Sequence, residues 1–196
     1  MRMMQRLNGM FGLAALVWAA SFSAPPAMAQ ALNERLQTCA ACHGEDGNSK
    51  MEKIPSLAGQ PEFFVLNQLV LMRENVRQVE QMMTFVKDLK DEEIQGLAQH
   101  YAGLKPAPTD ETVDPALVKR GAELAQRLRC ASCHGDGLEG REQMPRLARQ
   151  RIDYMFEAMQ AFRDNRRSGA DTAMTAVIVG VSDQDLLALA QYASTK

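Results

Sequence analysis

The chain is poor in the residue types that usually advertise an active site. It has four cysteines and three histidines in 196 residues. Two repeated pentapeptides use every cysteine and two of the histidines, so no thiol is left for a separate catalytic role. Excess basic charge is also missing: 22 Lys+Arg face 24 Asp+Glu, a formal charge of −2. Nucleic-acid binding relies on clustered positive charge and is a poor fit to that balance. Beyond the first thirty residues there is no apolar run near the roughly 20 residues that a membrane-crossing helix needs. No segment shows a convincing sheet pattern; apolar residues recur at helical spacing instead.

The N-terminus must be set aside before the fold is considered. Arg2 and Arg6 form a positive region, Gly9 to Phe22 is apolar and uncharged, and Ala27-Met28-Ala29 follows Pro25-Pro26. This pattern predicts a secretory leader over residues 1–29, cleaved before Gln30. A retained membrane anchor is the alternative, but the apolar run is short for one. Cleavage removes two basic residues and no acids, which takes the formal charge from −2 to −4. The expected location is the periplasm, an oxidising compartment in which an unused Cys-x-x-Cys would close into a disulfide.

What the chain does have is Cys39-Ala40-Ala41-Cys42-His43, repeated as Cys130-Ala131-Ser132-Cys133-His134. C-x-x-C-H is the pattern of c-type haem attachment. Each thiol adds across one haem vinyl group, and the adjacent histidine lies under the iron as its proximal ligand. Two copies predict two covalently bound haem c groups in two domains. The competing readings are zinc and a pair of disulfides. Zinc ligand pairs usually lie closer in sequence, and a disulfide has no use for the histidine. His100, the remaining histidine, is expected at a surface or interface.

The two halves align from end to end, the mark of an internal repeat. Asp46-Gly47 is set against Asp136-Gly137 after a one-residue deletion. Ile54-Pro55-Ser56-Leu57-Ala58 matches Met144-Pro145-Arg146-Leu147-Ala148, and Gln60 matches Gln150. Arg73 and Asn75 fall opposite Arg163 and Asn165, and Met82 to Gln99 runs ungapped against Met174 to Gln191. Two extra residues enter the second copy near Ser168-Gly169. Helices are predicted over 60–75, 91–102, 114–128, 150–166 and 182–194, with a shorter one over 31–38. Ser182 and Asp91 supply N-terminal capping chemistry, and Pro115 suits a first helical turn. Prolines in Lys105 to Asp110 end the first half. The expected division is therefore an N-terminal domain over 30–104, a linker over 105–113 and a C-terminal domain over 114–196.

With these motifs placed, the chain resembles the class I cytochromes c, and specifically diheme cytochromes of the cytochrome c4 type, over nearly all of its mature length. The resemblance implies an all-α protein of two tandem cytochrome c domains, each wrapping one haem. It implies that the Pro55 and Pro145 carbonyls accept the N–H of His43 and His134, fixing ring orientation and ligand basicity. It also implies a methionine thioether on the far side of each iron, shortly before the last helix of each domain. Met174 precedes Asp183 by nine residues and Met82 precedes Asp91 by nine. The repeat thus selects Met82, while Met83, followed by Thr84 as Met174 is by Thr175, stays open as the alternative.

Two strong protein ligands leave no open iron position, and a thioether raises the reduction potential. The implied function is single-electron transfer between redox partners, with no catalytic residues. Such partners are donor dehydrogenases or quinol-oxidising complexes and acceptor oxidases or reductases. The alternative is a diheme cytochrome subunit of a periplasmic dehydrogenase complex, of the flavocytochrome c kind. A catalytic haem enzyme would need a vacant iron or a replaced methionine. The arginines at 141, 146, 149, 151, 163, 166 and 167 are expected to give the second domain a basic surface, a few of them meeting haem propionates or an acidic partner.

Overall fold

A computed structural model describes residues 27–169 and 172–196. The expected leader, except its last three residues, lies outside the described residues, as do Ala170 and Asp171 at the second-half insertion. The described chain is helical: α1 (Ala27–His43), α2 (Glu62–Arg73), α3 (Glu80–Val86) and α4 (Asp91–Gly103), then α5 (Pro115–Arg127), α6 (Ala131–His134), α7 (Ile152–Arg163), α8 (Thr172–Ile178) and α9 (Asp183–Ser194). No strand occurs among the described residues, only one isolated bridge between Arg141 and Met144.

Local chemistry explains the helix limits. Asp114 caps α5 by accepting from the Ala116 N–H at 2.8 Å, with Pro115 in the first turn. Ser182 caps α9 through the Asp185 N–H at 3.2 Å. α4 opens on Asp91, Glu92 and Glu93, whose charges favour a helix N-terminus, and Glu93 reaches back to the Lys90 N–H at 2.9 Å. Its cap residue is therefore Lys90, one position before the Asp91 expected there. After α2 and α7 the chain turns at Asn75 (φ 58°) and Asn165 (φ 52°), equivalent positions in the repeat.

The first helix was expected over only 31–38, shorter than its second-half counterpart, yet α1 runs 17 residues and α5 only 13. Thr38 stays helical, its hydroxyl donating to the Glu34 carbonyl at 3.0 Å. At the equivalent place Arg129 takes φ 56° and breaks the run.

Each half has its own core. Val86, Ile94, Leu97 and Tyr101 anchor the first, with α4 packed on α1 and α2. Leu124, Ile178, Leu186 and Leu189 anchor the second, where α5 crosses α9. Ile94 and Leu186, aligned in the repeat, are 1% and 0% exposed, and each such side chain contributes about 1.5–3 kcal/mol on burial. At the α5–α9 crossing, a Cβ on Gly121 would lie 2.0 Å from the Ala188 carbonyl oxygen. Only glycine lets the two backbones approach so closely.

The halves meet through polar groups. Gln150 bonds both backbone groups of Ser56, and Gln60 bonds both backbone groups of Arg146. Lys53 pairs with Glu157 at 2.6 Å and its N–H donates to Asp153 at 2.9 Å, while the Gln78 N–H donates to Ser168 at 2.9 Å. The connecting segment is tied to both sides. Asn48 accepts from the Ala107 N–H at 2.8 Å, and Glu111 caps α7 by accepting from the N–H groups of Ile152 (2.7 Å) and Asp153 (3.0 Å).

Candidate haem-binding sites

The last turn of α1 carries Cys39, Cys42 and His43. Spacings of three and four residues put these side chains on one helix face. α6 does the same for Cys130, Cys133 and His134, with Cys130 itself in helical geometry (φ −55°, ψ −38°). The chain then reverses at Gly44 (φ 85°) and Gly135 (φ 86°), a conformation glycine adopts freely. A Cβ on Gly44 would also lie 2.6 Å from the Asn48 oxygen.

The returning loop is held alike in both halves. The Gly47 carbonyl accepts from Leu57 (2.7 Å) and Ala58 (3.0 Å), and the Leu138 carbonyl accepts from Leu147 (2.8 Å) and Ala148 (2.9 Å). Gly47 thus corresponds to Leu138, not to Gly137. The single-residue deletion lies after this turn instead of before it, because the paired carbonyl, not the Asp-Gly dipeptide, organises the loop.

That loop delivers a proline carbonyl to each histidine. His43 Nδ1 lies 2.8 Å from the Pro55 oxygen, and His134 Nδ1 lies 2.9 Å from the Pro145 oxygen. A carbonyl can only accept, so Nδ1 carries the proton and Nε2 keeps its lone pair. The histidines are 6% and 7% exposed. Burial pushes both imidazole pKa values down, against the opposing pull of the proline carbonyls. A buried, neutral imidazole with an oriented Nδ1–H is in the state that binds a metal. Cys39 and Cys130 are partly buried free thiols whose pKa burial raises.

The methionines lie on two short helices that sequence periodicity does not reveal, because seven residues are too few to establish a 3.6-residue repeat. Met82 on α3 lines a narrow crevice with Cys39, Leu69, Phe85 and Leu97 and packs on the first core. Met174 on α8 packs on the second core, near Met159 and Phe162. Met83, next to Met82, is half-buried and is not among the residues lining that crevice. His100 is half-buried in the last turn of α4, its ring edge-on to Tyr101 at 5.3 Å.

Two observations fit a haem in each half, and a third, in the second half, fits a haem carboxylate. Two thiols stand beside a neutral imidazole. Apolar side chains near each methionine face solvent, Phe85 at 46% and Val177 at 42% exposure, as surface that a porphyrin would cover. Arg146 is 3% exposed, yet its Nε and Nη2 have no partner and only Nη1 is bonded, to the Ala148 carbonyl. Desolvation, with a smaller contribution from nearby Arg149, pushes its pKa down to about 10. A propionate would supply the missing anion. Arg146 and the 5%-exposed Arg151 thus depart from the expected basic surface, Arg151 being paired with Asp153 at 2.9 Å and Asp110 at 3.2 Å.

Comparison with known proteins agrees with this geometry. The family model "Cytochrome c" matches residues 118–195, and "Cytochrome C oxidase, cbb3-type, subunit III" matches residues 25–100. Cytochrome c4 of Azotobacter vinelandii is 30% identical over 79% of this chain and 82% of its own. A thiosulfate dehydrogenase electron acceptor of Thiomonas intermedia (strain K12) is 31% identical over 96% of this chain and 90% of its own. The crystal structure of reduced recombinant cytochrome c4 from Pseudomonas stutzeri superposes with a TM-score of 0.77 at 29% identity, covering 85% of this chain and 97% of that one. Matching cores, matching histidine–proline pairs and relatives aligned across both halves lead to one conclusion: the chain belongs to the cytochrome c4 family of diheme class I cytochromes c, electron-transfer proteins carrying two covalently bound haem c groups.

Proposed function

We propose that the chain is a periplasmic relay for single electrons. In it Cys39 and Cys42, and Cys130 and Cys133, tether the haems, and His43 and His134 are the proximal ligands. Met82 and Met174 are the distal ligands. The haem iron supplies the one-electron chemistry. Pro55 and Pro145 hold each imidazole in one tautomer and orientation, and the apolar side chains around each methionine exclude water. Residues 1–29 are the leader, 30–104 and 114–196 the two domains, and 105–113 the linker.

The observation that carries this reading is the duplicated Nδ1–proline bond, which leaves Nε2 of a buried neutral histidine free in each half. The crevice shared by Met82 and Cys39 supports Met82 over Met83. Optical spectra of the purified protein, oxidised, reduced, and reduced under carbon monoxide, test it. Two low-spin haems with no carbon monoxide shift are expected. A haem that binds carbon monoxide would replace the relay with an open-iron site.

The likeness to a thiosulfate dehydrogenase electron acceptor over nearly the whole chain supports a second reading of the partner. Here the protein takes electrons directly from a periplasmic dehydrogenase as its dedicated acceptor. Rapid reduction by such a dehydrogenase, with a stable complex in gel filtration, would separate an assigned subunit from a free carrier.

A further inference from the structure

Each candidate proximal histidine leans on a peptide group that the opposite domain holds by its other end. The Pro55–Ser56 peptide accepts from His43 Nδ1 at 2.8 Å and donates its N–H to Gln150 Oε1 at 2.8 Å. The Pro145–Arg146 peptide accepts from His134 Nδ1 at 2.9 Å and donates its N–H to Gln60 Oε1 at 3.0 Å. Each glutamine closes the grip with Nε2, Gln150 to the Ser56 carbonyl at 2.8 Å and Gln60 to the Arg146 carbonyl at 2.9 Å. Both glutamines are 3% exposed, so water does not compete.

Within one peptide unit the N–H and the carbonyl are electronically joined by amide resonance. An acceptor on the N–H therefore places more electron density on the carbonyl oxygen, and hydrogen bonds in series strengthen one another. A stronger carbonyl acceptor raises the basicity of the imidazole ligand, which favours the oxidised iron. We propose that Gln60 and Gln150 are positioning residues acting across the domain interface. Each sets the basicity and orientation of the other domain's proximal histidine, so the seating of the domains fixes both reduction potentials. The inference rests on His43 and His134 being axial ligands.

The test is potentiometry of the haem-loaded full chain, with each midpoint assigned to its domain by NMR of the axial methionine methyl groups. Two His/Met low-spin haems in the unaltered protein establish the reading beneath the inference, and their absence would defeat that reading first. Given them, Gln60→Leu is expected to raise the second domain's midpoint and Gln150→Leu the first domain's. The shift is up to about tenfold in the one-electron equilibrium, about 59 mV. Ser168→Ala, which breaks an interdomain bond remote from both peptides, is expected to move neither. A shift in a variant's own domain, an equal shift in both, or none in a protein with intact spectra overturns the proposal. Should a leucine variant lose haem, amide exchange in the unaltered reduced protein decides. Protection of the Ser56 and Arg146 N–H groups equal to core amides is expected, and fast exchange overturns the proposal.

Discussion

Gly121 lies against Ala188 so closely that a single added carbon would sit 2.0 Å from the Ala188 carbonyl oxygen and 2.7 Å from Cβ of Tyr192. The contact is backbone to backbone, so neither side can relax by changing a rotamer. Gly121→Val is expected to separate α5 from α9 and destabilise the second domain by about 3 kcal/mol, the upper end for overpacking. For a domain of this size that corresponds to a fall of very roughly 12–24 °C in its thermal midpoint. Differential scanning calorimetry should show the loss confined to one of two transitions.

Arg163 ties the end of α7 to the start of α9 through Asp183 (2.5 Å) and the Val181 carbonyl (3.0 Å), with Asp164 at 2.7 Å. Arg73 repeats the arrangement in the first half with Asp91 at 2.6 Å and the Leu89 carbonyl at 3.1 Å. The Arg163 guanidinium holds the carboxyls of Asp183 and Asp164 below the usual range. A depressed folded pKa stabilises above the unfolded value, near 3.9, and the gain is lost as pH falls through the folded value. Arg163→Met should therefore lower stability slightly at neutral pH, the effect being small because these groups are solvent-screened, and flatten the fall below about pH 4, so that variant and parent converge in acid unfolding followed by circular dichroism.

Met174→Ala is expected to lower the midpoint of the second haem and open its iron to carbon monoxide, because a thioether raises the potential and closes the sixth position. In the first half Met82→Ala should do the same and Met83→Ala should not. Carbon monoxide difference spectra of the three variants decide the assignment, and binding in the Met83 variant alone would reverse it.

Arg146→Met removes a cation that is 3% exposed and has two unpartnered nitrogens. A buried positive charge near an iron favours the reduced state, so at least one of the two midpoints should fall. An uncompensated buried donor costs about 1–3 kcal/mol. The haem-loaded variant should lose stability only if a propionate satisfies the guanidinium, and thermal melts alongside potentiometry would show both effects. Unchanged midpoints would remove Arg146 from the haem surroundings.

The parts of this protein that were legible in the sequence are those written in one short stretch. The two pentapeptides, Pro115 in the first turn of α5, the capping at Ser182, and the α2, α4, α7 and α9 helices carry their own local chemistry. α3 and α8 were not legible, since their helicity follows from packing Met82, Val86 and Ile178 on cores assembled from distant segments. The paired turn at Gly47 and Leu138 was hidden because the Asp-Gly dipeptides offer a tempting but different alignment. Arg146 and Arg151 looked like surface charge because burial depends on how distant segments pack, as where Arg151 meets Asp110 and the Ser49 carbonyl, which no local pattern encodes. Gln60 and Gln150 were visible as an aligned pair, but a glutamine's task is set by what faces it.

The grip of Gln60 and Gln150 on main-chain atoms has a bearing on how the halves diverged. A joint that engages only the N–H and carbonyl of the gripped residue places little demand on its side chain. The position after the proline could therefore become serine in one half and arginine in the other without loosening the seam. The duplicated units kept a common fastening while acquiring different electrostatic surroundings, so a symmetric scaffold can hold two inequivalent redox centres.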